Sequence, residues 1–289
     1  MGKHLKINLF LLLILYSSLS FSQDVVRFVN SEKFPDPKQS YFVDLLRLTL
    51  EASKEKFGPY QLQGVAIEMA QGRTSVMLER NEYIDVAWRM TSKILEQHLQ
   101  AVYFPLLKGM MGYRIFIIRK NDQQFFNKHM SLQELKLIPL GQGYNWPDTD
   151  ILINNGFNVA RGYDNYLLKM LARKRFDFFP RAIHEPWIEI KDKPEFMVEK
   201  NLMLQYPAPI FFFVNKSNKR LQQRLDYGLG QLLNNGTFEQ FFLNHPITAG
   251  ILQKADVKHR TIFKLENPLL SEQTKKLLKD KRLWINIEK

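Results

Sequence analysis

The segment YIDVAWRMTSKILEQHLQAVYFPLLKGMMGYRIFIIRK, Tyr83 to Lys120, decides how the chain reads. It opens with an apolar run, Tyr83 to Trp88, that suits a buried parallel strand ending in a polar, aromatic loop. A helix-like stretch follows, and then a second apolar run, Tyr113 to Ile118, flanked by Arg114 and Arg119. Ligands of open α/β sheets meet the carboxyl ends of strands, so Trp88, Arg89, Met90 and Thr91 fall where a ligand would be held.

Working outward, Val25 to Val29 reads as a short strand and FPDPK, Phe34 to Lys38, as a loop. Phe42, Leu45, Leu46, Thr49 and Ala52 recur at helical spacing, which puts Tyr41 near a helix start. Tyr60 to Ile67 reads as a second strand and Arg73 to Arg80 as a second helix. Strands alternating with helices predict a parallel sheet with helices on its faces. Past Lys120 the pattern restarts. Ser131 and Glu134 form a capping box. Ile138 to Leu140 runs as a strand into Gly141-Gln142-Gly143-Tyr144, and Pro147 and Asp148 suit the first turn of a helix that stops at Gly156. Asn158 to Arg161 is a strand, Asp164 is placed to cap a helix from Asn165 to Ala172, and RFDFFPR is the next strand. Ile210 to Val214, after YPAP, fits a crossing or edge strand. Two amphipathic helices follow, and the tail would pack back on the first unit.

Composition bounds the function. Residues 1–22 combine a basic start, a short apolar core and small residues at the end, the pattern of a secretory signal cleaved near Ser22. The apolar run is shorter than the about 20 residues a spanning helix needs; an uncleaved anchor is the alternative. With no cysteine there are no disulfides and no thiolate chemistry. The formal charge is +12, to which Lys3 and Lys6 of the leader contribute, and basic residues crowd the stretch from Lys254 onward. An exported chain rarely meets nucleic acid. That surplus is therefore read as a solvated basic face, open to anionic membrane surfaces or acidic solutes.

The blocks IDVAWRMTS, YFPLLKGMMGYRIFIIR, WPDTDILINNGFNV, LLKMLARKRFDFFPR and NNGTFEQFF resemble those of family 3-type solute-binding proteins, the amino-acid-binding kind that serves ABC importers. The resemblance spans nearly the whole chain after the leader. It implies an α/β, two-lobe periplasmic-binding-protein-like (type II) fold with two crossover strands, near Ile115 to Lys120 and Tyr206 to Phe213. Lobe 1 would comprise residues 23–117 and 209–289, and lobe 2 residues 118–208. It further implies a monomer in the periplasm that binds a small-molecule solute and docks on an inner-membrane permease or sensor. No enzyme activity and no cofactor are implied, although some periplasmic dehydratases share the fold. The chain departs from the family at its anchor. Amino-acid binders carry a threonine and, a few residues on, an arginine that grips the ligand carboxylate; here Thr91 is followed by Ser92-Lys93-Ile94-Leu95-Glu96. The acid that holds the amino group also lacks a match around Phe179-Pro180-Arg181-Ala182.

The candidate ligand-binding residues are therefore Trp88, Arg89, Thr91, Gly143, Tyr144, Arg181, Tyr41 and Arg114. Trp88 would supply a stacking wall or belong to the core, and Arg89 would hold an anionic group or pair with a surface acid. Arg181 would reach into the cleft or pair with Glu185 or Glu189. Arg114, inside a crossing strand, needs water or a partner. The bare amides of Gly141 to Tyr144 would hold an anion at a helix start, and Tyr41 would form a wall. These groups predict an anionic solute. Asp85 and Asp177 could pair as catalytic carboxylates, or cap helices and end strands. The six histidines have no metal-ligand spacing.

Overall fold

A computed structural model describes residues 23–30, 38–67 and 71–287. The leader and most of the FPDPK loop lie outside the described residues. In chain order the main elements are β1 Asp24–Val29, α1 Gln39–Ala52, β2 Tyr60–Val65, α2 Gln71–Glu79, β3 Val86–Met90, α3 Lys93–His98, β4 Gln100–Val102 and β5 Tyr113–Arg119. Then come α4 Leu132–Leu137, β6 Leu140–Gly143, α5 Pro147–Asn154, β7 Val159–Gly162, α6 Leu167–Ala172, β8 Phe179–Ala182, β9 Phe196–Val198 and β10 Leu202–Gln205. The chain closes with β11 Ile210–Val214, α7 Lys219–Asn234, α8 Thr237–Asn244, β12 Thr261–Lys264 and α9 Glu272–Leu277.

The strands form two bodies. In lobe 1, β1 pairs parallel with β2, and a backbone bond of 2.8 Å from Asp85 to the Arg27 carbonyl leads on to β3. There β11 enters between β3 and β4, antiparallel to both. In lobe 2, β6 pairs parallel with β7, Leu140 bridges Phe178, and β5 runs antiparallel to β8, β9 and β10. The chain thus leaves the first sheet after β4 and rejoins it at β11. At the passage the two connections abut: a Cβ built on Gly112 would sit 1.7 Å from the Tyr206 carbonyl oxygen. No larger residue fits there.

Amphipathic spacing dictates the packing. Tyr41, Phe42, Leu45, Leu46, Thr49 and Leu50 form the buried face of α1. That face meets α7 so closely that a Cβ on Gly228 would lie 2.1 Å from the Thr49 carbonyl oxygen. The capping box at Ser131 and Glu134 forms as the spacing predicts, Pro147 opens α5, and Gly156 follows it at φ 82°.

Several expectations are corrected. β3 starts at Val86, because Tyr83 takes φ 60° and Ile84 turns back to bond the Glu82 carbonyl at 2.6 Å. It is antiparallel to its neighbour β11, since β11 arrives from the opposite lobe. Trp88 and Arg89 consequently lie inside the strand, opposite Phe212 and Phe211, rather than at its end. Asp164 opens a 3-10 turn without a side-chain cap, and α6 begins only at Leu167. The tail is shared between the lobes: β12 pairs with β10 of the second sheet, while Leu269 accepts a bond from Lys93 and Ile285 donates to Lys108.

Candidate functional site

The parallel strands of lobe 2 deliver polar and aromatic residues at their carboxyl ends: Tyr144 after β6, Tyr163 after β7, and the run Arg181 to Glu185 at the end of β8. Beneath this edge lies a buried ionic cluster. Arg114, opposite Ala182 in the β5–β8 register, is 1% exposed. Its guanidinium donates to Asp148 in the first turn of α5, stands 4.0 Å from Glu185 and lies 5.5 Å from the centre of the Tyr206 ring. The Tyr206 hydroxyl donates to the same carboxylate at 2.5 Å. An acid at a helix start is favoured by the helix dipole. Burial alone would lower the Arg114 pKa, but Asp148, Tyr206 and Glu185 outweigh it and hold the guanidinium above its ordinary value. Burial, reinforced by Asp148, keeps the Tyr206 phenol neutral.

Arg181 forms the second half. Its Nε donates to Glu189 at 2.9 Å and 3.0 Å, and one terminal nitrogen lies 3.3 Å from Glu185. Its guanidinium lies against two rings that stack on each other, 4.7 Å from the centre of Trp146 and 5.0 Å from that of Phe179. Gly143 makes this possible, because a Cβ there would come within 2.2 Å of the Trp146 ring. Glu185 also takes the Ala182 amide at 2.9 Å and, from the start of α1 in the other lobe, the Lys38 ammonium at 3.0 Å. Burial would raise the Glu185 carboxyl; Arg181, Lys38 and Arg114 override it and hold the group well below the usual range. Burial dominates at Glu189, whose pKa is raised.

The cluster is balanced: Lys38, Arg114 and Arg181 face Asp148, Glu185 and Glu189. Two features are left incomplete. Among the described residues, neither ring nitrogen of buried His184 has a hydrogen-bond partner, and neither does Nε of Arg114. Burial pushes the His184 imidazole down to about 3, so it is neutral. Each unsatisfied buried group costs about 1–3 kcal/mol, which a water or a bound solute would relieve.

The other predicted residues are placed as follows. Tyr144 is exposed and stacks on Tyr163 with centroids 6.1 Å apart, and Arg161 lies 5.9 Å from its ring. The amides of the Gly141–Tyr144 loop do not form a free anion nest. Gly141 donates to the Phe178 carbonyl at 3.0 Å and Tyr144 to that of Gly162 at 2.8 Å, because strand pairing continues through the loop. In lobe 1, Trp88 stacks on Phe42 at 5.3 Å, on the strand face opposite Arg89. Arg89 donates to the Trp88 carbonyl at 2.7 Å and to the Thr74 hydroxyl of α2. Tyr41 is fully buried, its hydroxyl on the Leu106 carbonyl at 2.7 Å, which makes it core. Thr91 donates to Glu96 at 2.6 Å, and the same carboxylate receives Thr274 at 2.7 Å and Tyr103 at 3.1 Å. Burial, then Glu96, pushes the Tyr103 hydroxyl up to about 12.

Arg114, Arg181, Gly143 and Tyr144 are therefore gathered along one edge of lobe 2, while Trp88, Arg89, Thr91 and Tyr41 are dispersed through lobe 1. Asp85 binds Arg27 at 2.8 Å and Asp177 binds Arg119 at 2.6 Å, so the two acids serve separate ion pairs. Among the described residues no group of three or more metal-ligating side chains forms. Sequence reading missed Lys38, Tyr206 and His184 as members of the cluster. The available signal was the polar pair His184-Glu185 directly after a strand end.

No protein-family model matches the chain, and no curated protein matches it. Solved structures do. A structure described for glutathione import through the cystine ABC importer of Streptococcus mutans aligns with a TM-score of 0.56 at 13% identity, over 79% of this chain and 96% of that one. A Salmonella typhimurium periplasmic binding protein of high arginine specificity gives 0.52 at 13% identity, over 75% of this chain and 97% of that one. A histidine kinase sensor domain with similarity to periplasmic binding proteins gives 0.53 at 14% identity, over 76% and 93%.

Proposed function

From the two-lobe fold that this chain shares with periplasmic binding proteins, we propose that it is an exported solute-binding protein. It captures a small polar solute between the lobes and presents it to an ABC-type importer in the inner membrane. The observation that carries this reading is the Lys38–Glu185 ion pair, which joins the start of α1 to the carboxyl end of β8. Strand ends facing one another across two lobes are where this architecture meets its ligands, and closure shields a polar solute from water.

The balanced charges refine the solute class. Arg114 and Arg181 already have carboxylate partners, so the cluster has no spare positive charge for an anion. A solute of zero net charge, neutral or zwitterionic, fits best. His184 and Arg114 Nε would supply an acceptor and a donor for its polar groups. The test is isothermal titration of the purified protein against neutral and zwitterionic amino acids, glutathione and small organic acids. Binding of a neutral or zwitterionic member tighter than about 1 mM supports the reading; no binding across the panel overturns it. A sensing role is the second reading, favoured by the likeness to a kinase sensor domain. Recovery of a signalling receptor rather than a permease in a membrane pull-down would select it.

A further inference from the structure

The basic surplus of the tail has a defined location. Lys276, Lys279 and Lys281 lie in or just after α9, are exposed, and have no ion pair with a described residue. The nearby acids are already engaged: Glu272 with Lys275 at 2.7 Å and Asp280 with Arg282 at 2.7 Å. The tail is tied to α3, since the Lys93 amide donates to Leu269 at 2.8 Å and Thr274 donates to Glu96 at 2.7 Å. Exposed Lys93 therefore joins the same face, and both it and Lys276 help to lower the Glu272 pKa. Two apolar side chains project from the two helical segments: Ile94, 69% exposed, and Leu278, 39% exposed.

We propose that this face docks on an anionic lipid surface. Its chemistry distinguishes that occupant from an acidic protein. The free charges are lysines, compact ammonium groups suited to a diffuse layer of headgroups rather than to planar, paired recognition of one carboxylate. Exposed Ile94 and Leu278, next to Lys93 and Lys279 in the chain, match the composition of interfacial segments, in which apolar tips enter the headgroup boundary and cations rim them. Docking through this face would keep the protein near the membrane that holds its transport partner.

The test is co-sedimentation of the whole chain with vesicles of phosphatidylglycerol and phosphatidylethanolamine, with phosphatidylcholine vesicles as the neutral control. The comparison chain is the triple variant Lys276→Glu, Lys279→Glu, Lys281→Glu, which shares every other segment. A second variant, Lys276→Gln, Lys279→Gln, Lys281→Gln, removes charge without reversing it. The expected result is binding to anionic vesicles only, weakened at least about tenfold in the Glu variant and less in the Gln variant. It should also be abolished near about 1 M salt, where screening shortens to about 3 Å. Unfolding curves matching those of the unmodified chain would show the variants to be folded. Equal binding by all three chains, binding to neutral vesicles, or no vesicle binding would each overturn the proposal. So would charge-dependent retention by an acidic membrane protein without vesicle binding.

Discussion

His184 and Arg114 carry the sharpest consequences at the level of single side chains. The imidazole is neutral in the folded chain, its pKa lowered by burial from the ordinary 6.5 to about 3. Between those values the unfolded chain binds a proton that the folded chain refuses, so stability falls as pH drops through the window. We expect His184→Leu to flatten the acid limb: urea unfolding at pH 7 and pH 5 should show the unmodified chain losing about 1–2 kcal/mol more than the variant. Arg114→Met would leave Asp148 buried and unmatched, at a cost of about 3–5 kcal/mol, whereas Arg114→Met with Asp148→Leu should cost less than the single change. Denaturant midpoints of the two variants decide this. Such pairings explain what sequence could not supply. Arg181 was legible because its partner Glu189 lies on the next turn of chain, while Arg114 finds Asp148 across 34 positions, a distance that only the fold closes. Residue type gave the need for a partner; topology chose it.

Among the elements, legibility followed local chemistry. The capping box at Ser131, the proline opening α5 and the glycine after it were readable because each acts within one turn of backbone. The direction of β3 was not, since an apolar run reads alike whether its neighbour is parallel or antiparallel, and its neighbour β11 arrives over a hundred residues later. The same limit hid β12. Two elements invite direct tests. Gly228→Ala would force α7 away from the Thr49 carbonyl, and we expect a loss of about 1–3 kcal/mol, read as a lower melting temperature. Glu96→Gln would weaken the charged acceptor that Thr91, Tyr103 and Thr274 share. Hydrogen exchange at the amides of Lys93 and Ile285, which fasten the tail, should then quicken by roughly tenfold while that of β11 is unchanged.

For the whole molecule, the ion pair between Lys38 and Glu185 makes the separation of the lobes a measurable quantity. Lys38→Met should raise the radius of gyration of the solute-free protein in small-angle scattering, and an unchanged radius would show that the pair does not hold the lobes together. The tail adds a constraint of another kind. Because Thr261–Lys264 supplies the outer neighbour of Leu202–Gln205, and Ile285 fastens to Lys108, the native arrangement is complete only when segments far along the chain have returned to it. That sheet margin is therefore sealed only when Thr261–Lys264 has folded back against it. A chain without that segment would display a bare strand edge, a mark that quality-control proteases could read.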